Sequence, residues 1–250
     1  MSGPLSERRL VIHRSLEDQA GDPADVHAWL LDLDALARQG HGQGAVLSDD
    51  ERQRAARLRW RGPRTRFIAG RSVVRHLLAA RLGRGPEQLT FRQNAFGKPA
   101  LTPEGAPPQA APLYFNVAHS EQALLVGLAP VEIGVDVEVL RAAADVMTLA
   151  ATHFSPADCQ ALQALPDAAR PAAFYRLWTR REASAKAAGL CLAANLSSAA
   201  GSPTCGHCRQ RPAAPPAADA WPCWSFEAQL GPDTVAAAVV IESAALSAQI

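Results

Sequence analysis

Hydrophobic and charged residues alternate most regularly at positions 133–139 of the chain. This segment reads Ile-Gly-Val-Asp-Val-Glu-Val, with an aliphatic side chain at every odd position and with Asp136 and Glu138 at even positions. Because successive side chains of a β-strand point to opposite faces, the pattern predicts a strand with one apolar face and two neighbouring carboxylates on the other. Two interpretations are open: an edge strand whose acidic face is hydrated, or a pair of buried carboxylates that bind a hard divalent cation such as Mg²⁺.

The first half of the chain carries two helical patterns. Ser48 followed by Glu51 is typical of a capping box, which predicts a basic helix from there to about Trp60. A second helix is predicted over 65–82, where apolar residues recur at helical spacing up to Gly83. A Gly-Pro dipeptide between the two segments is expected to separate them.

The strongest helical pattern covers residues 174–188. Trp178, Glu182 and Lys186 are spaced four residues apart, so they lie on one face of the helix. Such a spacing commonly gives an exposed Glu–Lys pair, but the large aromatic residue on the same stripe indicates a covered face. If that face meets the acidic face of 133–139, three carboxylates surround one cation, and Lys186 is placed to bind a phosphate oxygen.

Shorter segments predict the strands of an α+β fold. The segment 26–36 is predicted as a strand in which Asp32 and Asp34 alternate with leucines. Residues 121–128 and 133–139 are predicted to form a hairpin or two neighbouring strands. The other expected strands are 10–12, 89–91, 114–117, 224–227 and 235–241.

The second half of the sequence echoes the first. Leu47-Ser48 recurs as Phe154-Ser155, and Phe67 recurs at the same offset as Phe174. This repetition favours two similar α/β half-domains in a pseudo-two-fold arrangement with a cleft between them, although chance similarity in a chain rich in Ala, Leu and Arg is the alternative. The expected organisation is an N-terminal extension over 1–24, a first half-domain over 25–128, and a second over 129–250 with a flexible insertion at 197–220.

Charge and hydropathy limit the classes of function. A net charge of +1 over 250 residues excludes a globally basic nucleic-acid-binding protein. Arginines nevertheless cluster over 52–84, so a nucleic-acid-binding module that uses this cluster is the alternative function. No run of 18 apolar residues exists, so no membrane span is expected.

The cysteines favour a reducing compartment. There are five, an odd number at irregular spacing, which argues against a disulfide scaffold and predicts a cytoplasmic protein. Cys205 and Cys208 form a C-x-x-C pair, which is typical of a zinc or redox half-site. Only His207 and Cys223 lie near it as further ligands, so we expect an incidental loop sequence.

Two lysines and one histidine stand out in a chain that otherwise uses arginine. Lys98 follows Gly97 in a tight Gly-Lys-Pro turn, and Lys186 lies on the helix described above. A compact ammonium group differs from the planar guanidinium in the anions that it binds. His119 follows a predicted strand, where it either binds phosphate or is capped by the backbone.

Taken together, these motifs resemble the 4′-phosphopantetheinyl transferase superfamily, in its Sfp-type branch. The family's (I/V)-G-(I/V)-D-(I/V)-E strand matches residues 133–138, and its W-(S/T)-x-K-E-(A/S)-x-x-K helix matches 178–186. Its Gly-Lys-Pro turn and following F-N-(I/L/V)-S-H-S strand match 97–99 and 115–120. The resemblance extends over about residues 25–245. It implies the two-halved fold predicted above, with the active site in the cleft between the halves.

The resemblance also implies a metal site and a reaction. Mg²⁺ on Asp136, Glu138 and Glu182 would bind the diphosphate of coenzyme A, which is the co-substrate. A serine hydroxyl of an apo acyl or peptidyl carrier protein would attack the β-phosphorus, and adenosine 3′,5′-bisphosphate would leave. Glu182 is our hypothesis for the base that accepts the serine proton, and Lys186 and His119 complete the catalytic group.

Basic residues have distinct roles in this resemblance. Lys98, Lys186 and His119 would offset the charge of the phosphates. Arg54 and Arg66 would bind the 3′-phosphate. Because a carrier protein is acidic, the arginine cluster could also steer it to the site. A monomer without nucleic-acid or membrane partners is expected.

Four positions depart from the family pattern. Arg181 replaces a lysine before the helix glutamate, and Ala118 replaces the serine before the histidine. Lysines of the first helix in relatives appear here as Glu51 and Arg54, of which only Arg54 keeps the positive charge. These departures bear on the nucleotide contacts rather than on the three carboxylates.

Overall fold

The computed structural model has an α+β fold and describes residues 10–13, 25–40, 44–105, 112–141, 145–190 and 221–242. The helices are α1 (Leu33–Arg38), α2 (Asp49–Arg57), α3 (Arg61–Leu82), α4 (Val146–His153), α5 (Pro156–Gln163) and α6 (Arg170–Ala187). The strands are β1 (Leu10–His13), β2 (Val26–Asp32), β3 (Phe91–Gln93), β4 (Pro99–Leu101), β5 (Tyr114–Ser120), β6 (Ala123–Ala129), β7 (Ile133–Val139), β8 (Cys223–Leu230) and β9 (Asp233–Ile241). Among these helices none has both the length and the hydropathy needed to cross a bilayer.

The strands form two larger sheets and a small hairpin. The first sheet has the order β1-β2-β6-β5, in which β1 and β2 are parallel and the other pairs are antiparallel. The second sheet has the order β7-β9-β8 and is antiparallel. The hairpin β3–β4 carries the predicted turn, where Gly97 has a φ of 84°. The closing pair β8–β9 confirms the prediction for the C-terminal strands.

The predicted pairing of 121–128 with 133–139 is wrong. β6 pairs with β2 and β5, whereas β7 pairs with β9 in the other sheet. The two strands instead lie across the interface between the sheets, and a Cβ placed on Gly127 would lie 2.5 Å from Val135. Both strands are buried on both faces, so their similar apolar patterns do not distinguish hydrogen-bonded neighbours from strands that pack face to face.

The apolar face of β7 lies in the core between the sheets, as its alternation predicts. Ile133, Val135 and Val137 are almost fully buried in a cluster that includes residues of both sheets. The outer face of the first sheet is covered by α3, and that of the second by α6. The acidic face of β7 is therefore turned towards α6.

β5 and β7 meet at the junction of the two sheets, where side chains replace a backbone ladder. Asn116 Oδ1 accepts a hydrogen bond from Val135 N at 2.9 Å, and Ser120 Oγ accepts one from Val139 N at 3.3 Å. Between these two residues, Ala118 is buried in the same core cluster. We call this contact the β5–β7 seam.

The strand predicted over 26–36 ends earlier than expected. β2 stops at Asp32, whose side chain accepts hydrogen bonds from Asp34 N and Ala35 N and so caps α1. Asp34 consequently lies in the first turn of a helix rather than on a strand. The physical reason is that an aspartate at an N-cap satisfies free helical N–H groups, which outweighs the local alternation.

The helices of the first half follow the prediction with shifted ends. The capping box of Ser48 and Glu51 is present, but α2 ends at Arg57 rather than near Trp60. The Gly-Pro dipeptide does not precede the second helix but lies in the first turn of α3, where the missing N–H of proline is tolerated. Gly83, with a φ of 63°, ends α3 as predicted.

Gly134 determines how closely α6 approaches β7. A Cβ at this position would lie 1.9 Å from the carbonyl oxygen of Ala183 and 2.3 Å from the nitrogen of Ala187. Both are backbone atoms, so no side-chain rotation relieves the overlap. The helix and the strand therefore pack backbone against backbone.

We expect Gly134→Ala to destabilise the protein by at least about 1–3 kcal/mol, because α6 must move away from β7. Urea unfolding measures this effect. Gly62→Ala is the matched control, since a Cβ there meets no atom within 4 Å. Equal stability of the two variants would contradict the close approach of α6.

Candidate active site between β7 and α6

Asp136 and Lys186 form the centre of the site. Asp136 lies on β7, its side chain is 6% exposed, and its Oδ1 accepts a hydrogen bond from Lys186 Nζ of α6 at 2.5 Å. Its second oxygen, Oδ2, is buried and has no hydrogen-bond partner among the described residues. A buried carboxylate oxygen without a partner is energetically costly, so this oxygen is suited to accept a further ligand.

The neighbouring charges change the proton affinity of this carboxyl group. Burial raises the pKa of Asp136 to about 7, Lys186 opposes the rise, and the carboxylates of Glu182 and Glu138 add to it. The pKa of Glu182 is also raised by burial and by Glu138, while Lys186 lowers it. The three predicted carboxylates and Lys186 therefore lie within electrostatic reach of one another.

Glu138 is held at the outer end of the acidic face. Its Oε2 accepts a hydrogen bond from Ser120 Oγ at 2.7 Å. Ser120 is the last residue of β5, so this bond connects the first sheet to the acidic strand of the second.

His119 lies beside the carboxylate cluster and keeps an exposed edge. Removal of part of the imidazole from water and the Lys186 ammonium group lower its pKa, and Arg54 adds a smaller effect in the same direction. Glu138 acts in the opposite sense. The imidazole is thus neutral near pH 7 and close to both Lys186 and Arg54.

The carboxylates have the chemistry of a Mg²⁺ site without forming a closed one. Within the described ranges, no group of three His, Cys, Asp or Glu side chains is arranged as metal ligands. Mg²⁺, however, commonly takes one or two protein carboxylates and completes its shell with water and phosphate oxygens. The buried and unpartnered Oδ2 of Asp136 fits such a cation, with Glu138 and Glu182 as neighbouring oxygen donors.

Lys98 lies beside the C-terminal end of α6. Its ammonium group is paired with Glu132 Oε2 at 2.5 Å and donates to the carbonyl oxygen of Ala187 at 3.1 Å. The hairpin turn around Lys98 and the C-terminal end of α6 border a cavity of about 780 Å³. The structure therefore places Lys98 beside α6, on which Lys186 also lies.

The two predicted arginines differ in their surroundings. Arg66 donates to both carboxylate oxygens of Asp34, at 2.7 and 2.6 Å. Arg54 lies over the ring of Phe67, with its guanidinium carbon 5.5 Å from the ring centroid. Arg54 is exposed and acts electrostatically on His119. Arg66, by contrast, is already ion-paired with Asp34.

Glu51 has a structural role that the sequence does not reveal. Arg71 Nε donates to Glu51 Oε1 at 2.6 Å, and Arg75 Nε donates to Oε2 at 2.7 Å. The same carboxylate accepts from Ser48 N in the capping box. The arginine cluster over 52–84 thus contributes internal ion pairs to the fold, in addition to its exposed members.

The other two residues that depart from the family pattern, Arg181 and Ala118, also make their contacts outside the site. Arg181 pairs with Asp158, the acidic residue of the α5 capping box, and lies over the ring of Phe154. Ala118 is buried in the core between the sheets. Both substitutions therefore concern packing within the fold.

Sequence reasoning missed the contact of Ser120 with Glu138. The available signal was the alternation in β5, where residues 116, 118 and 120 share one face and two of them are polar. The cysteine pair Cys205–Cys208 and the insertion predicted at 197–220 lie outside the described residues.

Comparison with known sequences shows the family. A profile of the 4′-phosphopantetheinyl transferase superfamily matches residues 132–240, which include β7, α6, β8 and most of β9. The 4′-phosphopantetheinyl transferase HetI of a Nostoc species is 37% identical over 166 residues, which cover 66% of this chain and 69% of HetI. The chain therefore belongs to the 4′-phosphopantetheinyl transferase superfamily and is a transferase of this kind.

Two further relatives agree with this assignment. The transferase AcpT of Escherichia coli is 35% identical over 130 residues, which cover 51% of this chain and 60% of AcpT. The 4′-phosphopantetheinyl transferase of Bacillus subtilis is 27% identical over 173 residues, which cover 69% of this chain and 74% of that protein. The resemblance inferred from the motifs is thus confirmed.

The raised pKa of Asp136 predicts a pH dependence of stability in metal-free protein. The folded state keeps the proton up to about pH 7, while the unfolded state releases it near the ordinary aspartate pKa of 3.8. Asp136 therefore contributes stability that is fully present below about pH 4 and is lost as the pH rises to 7.

Urea unfolding in a chelator at pH 5 and pH 7.5 measures this contribution. Asp34 and Glu51, whose pKa values are lowered, act in the opposite direction, so the comparison must be with Asp136→Asn. We expect the asparagine variant to gain stability relative to the wild type as the pH rises. An unchanged difference between the two proteins at both pH values would exclude the raised pKa.

Proposed function

We propose that this protein transfers the 4′-phosphopantetheinyl group of coenzyme A to a serine hydroxyl of an apo acyl or peptidyl carrier protein. The reaction depends on Mg²⁺ and releases adenosine 3′,5′-bisphosphate. The observation that carries the proposal is the ion pair of the buried Asp136 with Lys186, in which one carboxylate oxygen has no partner and two further carboxylates are near. It lies within the segment that matches the superfamily.

Asp136, Glu138 and Glu182 would hold the cation. A bound Mg²⁺ would supply positive charge to the diphosphate of coenzyme A. The strand β7 and the helix α6 are fixed to each other by backbone contact at Gly134, so the chain holds Asp136 and Glu182 at a set separation before substrate arrives. Such preorganisation lowers the cost of orienting the reacting groups.

Lys186 offsets negative charge on the phosphates, and the neutral imidazole of His119 binds them by hydrogen bonding. Lys186 is only 28% exposed and is oriented by Asp136, so its ammonium group is directed without a large loss of side-chain entropy on binding. His119 keeps an exposed edge next to Lys186 and donates a hydrogen bond to a phosphate oxygen through a ring N–H. Both residues act by positioning, and Lys186 also by its charge, rather than by covalent chemistry.

Glu182 is the proposed base for the serine proton. Burial and the nearby Glu138 raise its pKa, which brings the carboxylate closer to the pH at which proton acceptance is efficient. Its position four residues before Lys186 puts the base and the phosphate-binding cation on one helical face. The serine hydroxyl loses its proton to Glu182, directly or through water.

The nucleotide end of coenzyme A lies towards the first sheet. Arg54 is exposed, close to His119, and is the stronger candidate for the 3′-phosphate. Arg66 would contribute with its guanidinium oriented by Asp34. The cavity beside Lys98 has a volume in the range of ligand sites and takes the remaining part of coenzyme A.

The proposal includes an active site between two similar halves, residues 25–128 and 129–250. Apart from β1, which lies before residue 25, the strands of the first sheet belong to the first half and those of the second sheet to the second half. Each half also has a pair of helices that begins with a serine capping box, at Ser48 and at Ser155. In each pair an arginine of the longer helix binds the acidic residue of the box: Arg75 binds Glu51, and Arg181 binds Asp158. These shared contacts support the duplication predicted from the sequence.

Mass spectrometry of apo carrier proteins tests the function directly. Acyl and peptidyl carriers are incubated with coenzyme A, Mg²⁺ and this protein. We expect one carrier class at least to gain the mass of one phosphopantetheinyl group, and chelation of the metal to abolish the gain. No mass gain on any carrier class would refute the proposal.

A further inference from the structure

Ser120 makes two hydrogen bonds at the point where β5 ends. Its hydroxyl donates to Glu138 Oε2 at 2.7 Å and accepts from Val139 N at 3.3 Å. One donor and one acceptor are therefore both used, which leaves the hydroxyl a single orientation. The side chain is half-buried, so these bonds are partly protected from water.

The position of Ser120 follows from the β5–β7 seam. Asn116, four residues earlier on the same face of β5, accepts from Val135 N in the same way that Ser120 accepts from Val139 N. The two contacts therefore fix β7 against β5 at both ends of the acidic segment. Ser120 differs from Asn116 because it also binds a side chain, that of Glu138.

The bond to Ser120 acts on one of the three proposed metal-binding carboxylates. Glu138 is the most exposed residue of β7, where the other six positions are buried. A carboxylate at such a position loses rotational freedom when it binds a cation, which weakens binding. A hydroxyl that donates to one carboxylate oxygen removes part of that freedom beforehand and so orients the ligand.

We infer that Ser120 is a positioning residue, which holds the Glu138 carboxylate in place for the divalent cation and makes the first sheet a determinant of metal affinity. The inference rests on the proposed function, because it takes Glu138 as a ligand. It assigns to the last serine of the motif in β5 a role separate from that of His119. His119 itself points to the opposite face of the strand.

Metal binding without substrate tests this role. Titration of the metal-free protein with Mn²⁺, followed by electron paramagnetic resonance of the free ion, gives a dissociation constant independent of turnover. We expect Ser120→Ala to weaken Mn²⁺ binding by about 10–100-fold. Ser120→Thr keeps the hydroxyl and is expected to stay within about threefold of the wild type.

Gln122→Ala is the matched control for loosening of the contact between the sheets. Gln122 Nε2 donates to Asp233 Oδ2 at 2.5 Å and so also joins the first sheet to the second, but without contacting Glu138. We expect this variant to keep the wild-type affinity for Mn²⁺. If Gln122→Ala weakens binding as much as Ser120→Ala, or if Ser120→Ala binds as the wild type does, the positioning role is refuted.

The outcome is separable from that of the proposed function. Wild-type protein that modifies a carrier and binds Mn²⁺, with no effect of Ser120→Ala, would overturn the inference alone. Wild-type protein that binds no Mn²⁺ would overturn the inference together with the metal site. The absence of a mass gain on every carrier class would refute the transfer reaction, whatever the Mn²⁺ titration shows.

Discussion

Replacement of Asp136 by asparagine is expected to lower kcat/KM for carrier modification by more than about 100-fold. Loss of residues that merely orient a metal ligand already costs about 10–100-fold, and Asp136 is proposed as a ligand itself. Asparagine has the same shape, so the packing of β7 is preserved while the charge is removed. Lys186 then loses its partner and its fixed orientation.

The measurement is the rate of phosphopantetheinyl transfer at saturating and at limiting Mg²⁺. Asp167→Asn is the control, because Asp167 is a largely exposed carboxylate, 91% by side-chain area, that pairs with Arg170 away from β7. Circular dichroism establishes that both variants are folded. A folded Asp136→Asn protein with high and Mg²⁺-dependent activity would exclude Asp136 as a ligand.

Replacement of Glu51 by lysine is expected to destabilise the protein by about 3–5 kcal/mol, because it leaves a buried charge unpaired. Arg75 is 2% exposed and has Glu51 as its ion-pair partner, while Arg71 shares the same carboxylate. The substitution also breaks the capping box of α2. It restores the residue type found in the family pattern, but at a position where this fold requires an acid.

Urea unfolding measures this loss, and Asp50→Lys is the matched control. Asp50 is exposed and lies in the same first turn of α2, so its replacement changes the charge near the helix N-terminus by the same amount. We expect the control to cost no more than about 1 kcal/mol. A Glu51→Lys protein that is as stable as Asp50→Lys and binds coenzyme A more tightly would show that Glu51 occupies the phosphate site.

The centre of the site was accessible from sequence periodicity. A period of two places Asp136 and Glu138 on one face of a strand, and a spacing of four places Glu182 and Lys186 on one face of a helix. The structure brings these two faces together. Both patterns are local, and the apolar residues on the opposite faces leave few ways to bury the two elements.

The ion-pair partners of the remaining charged residues could not be predicted from sequence periodicity. Lys98 pairs with Glu132, and Arg66 pairs with Asp34, both across more than thirty residues of chain. An isolated arginine or lysine has the same local pattern whether it binds phosphate or an internal acid. Only the tertiary structure decides between these outcomes.

Strand pairing and one element boundary were also beyond local patterns. β6 and β7 are both apolar, and their order along the chain suggested a hairpin. In the structure they lie in different sheets that pack face to face, and both strands are buried on both faces. Asp32 continues an alternating pattern and yet begins a helix. In each case a nonlocal or capping contact outweighed the periodicity.

The backbone contact at Gly134 affects how substitutions at the interface between α6 and β7 change the position of Lys186 relative to Asp136. Where a helix packs on a strand through side chains, each substitution at the interface shifts the helix slightly, and a catalytic pair across it loses register. Here Ala183 and Ala187 of α6 meet the strand at a residue that has no side chain. At this contact the register of Lys186 with Asp136 is therefore set by main-chain geometry rather than by the size of a side chain.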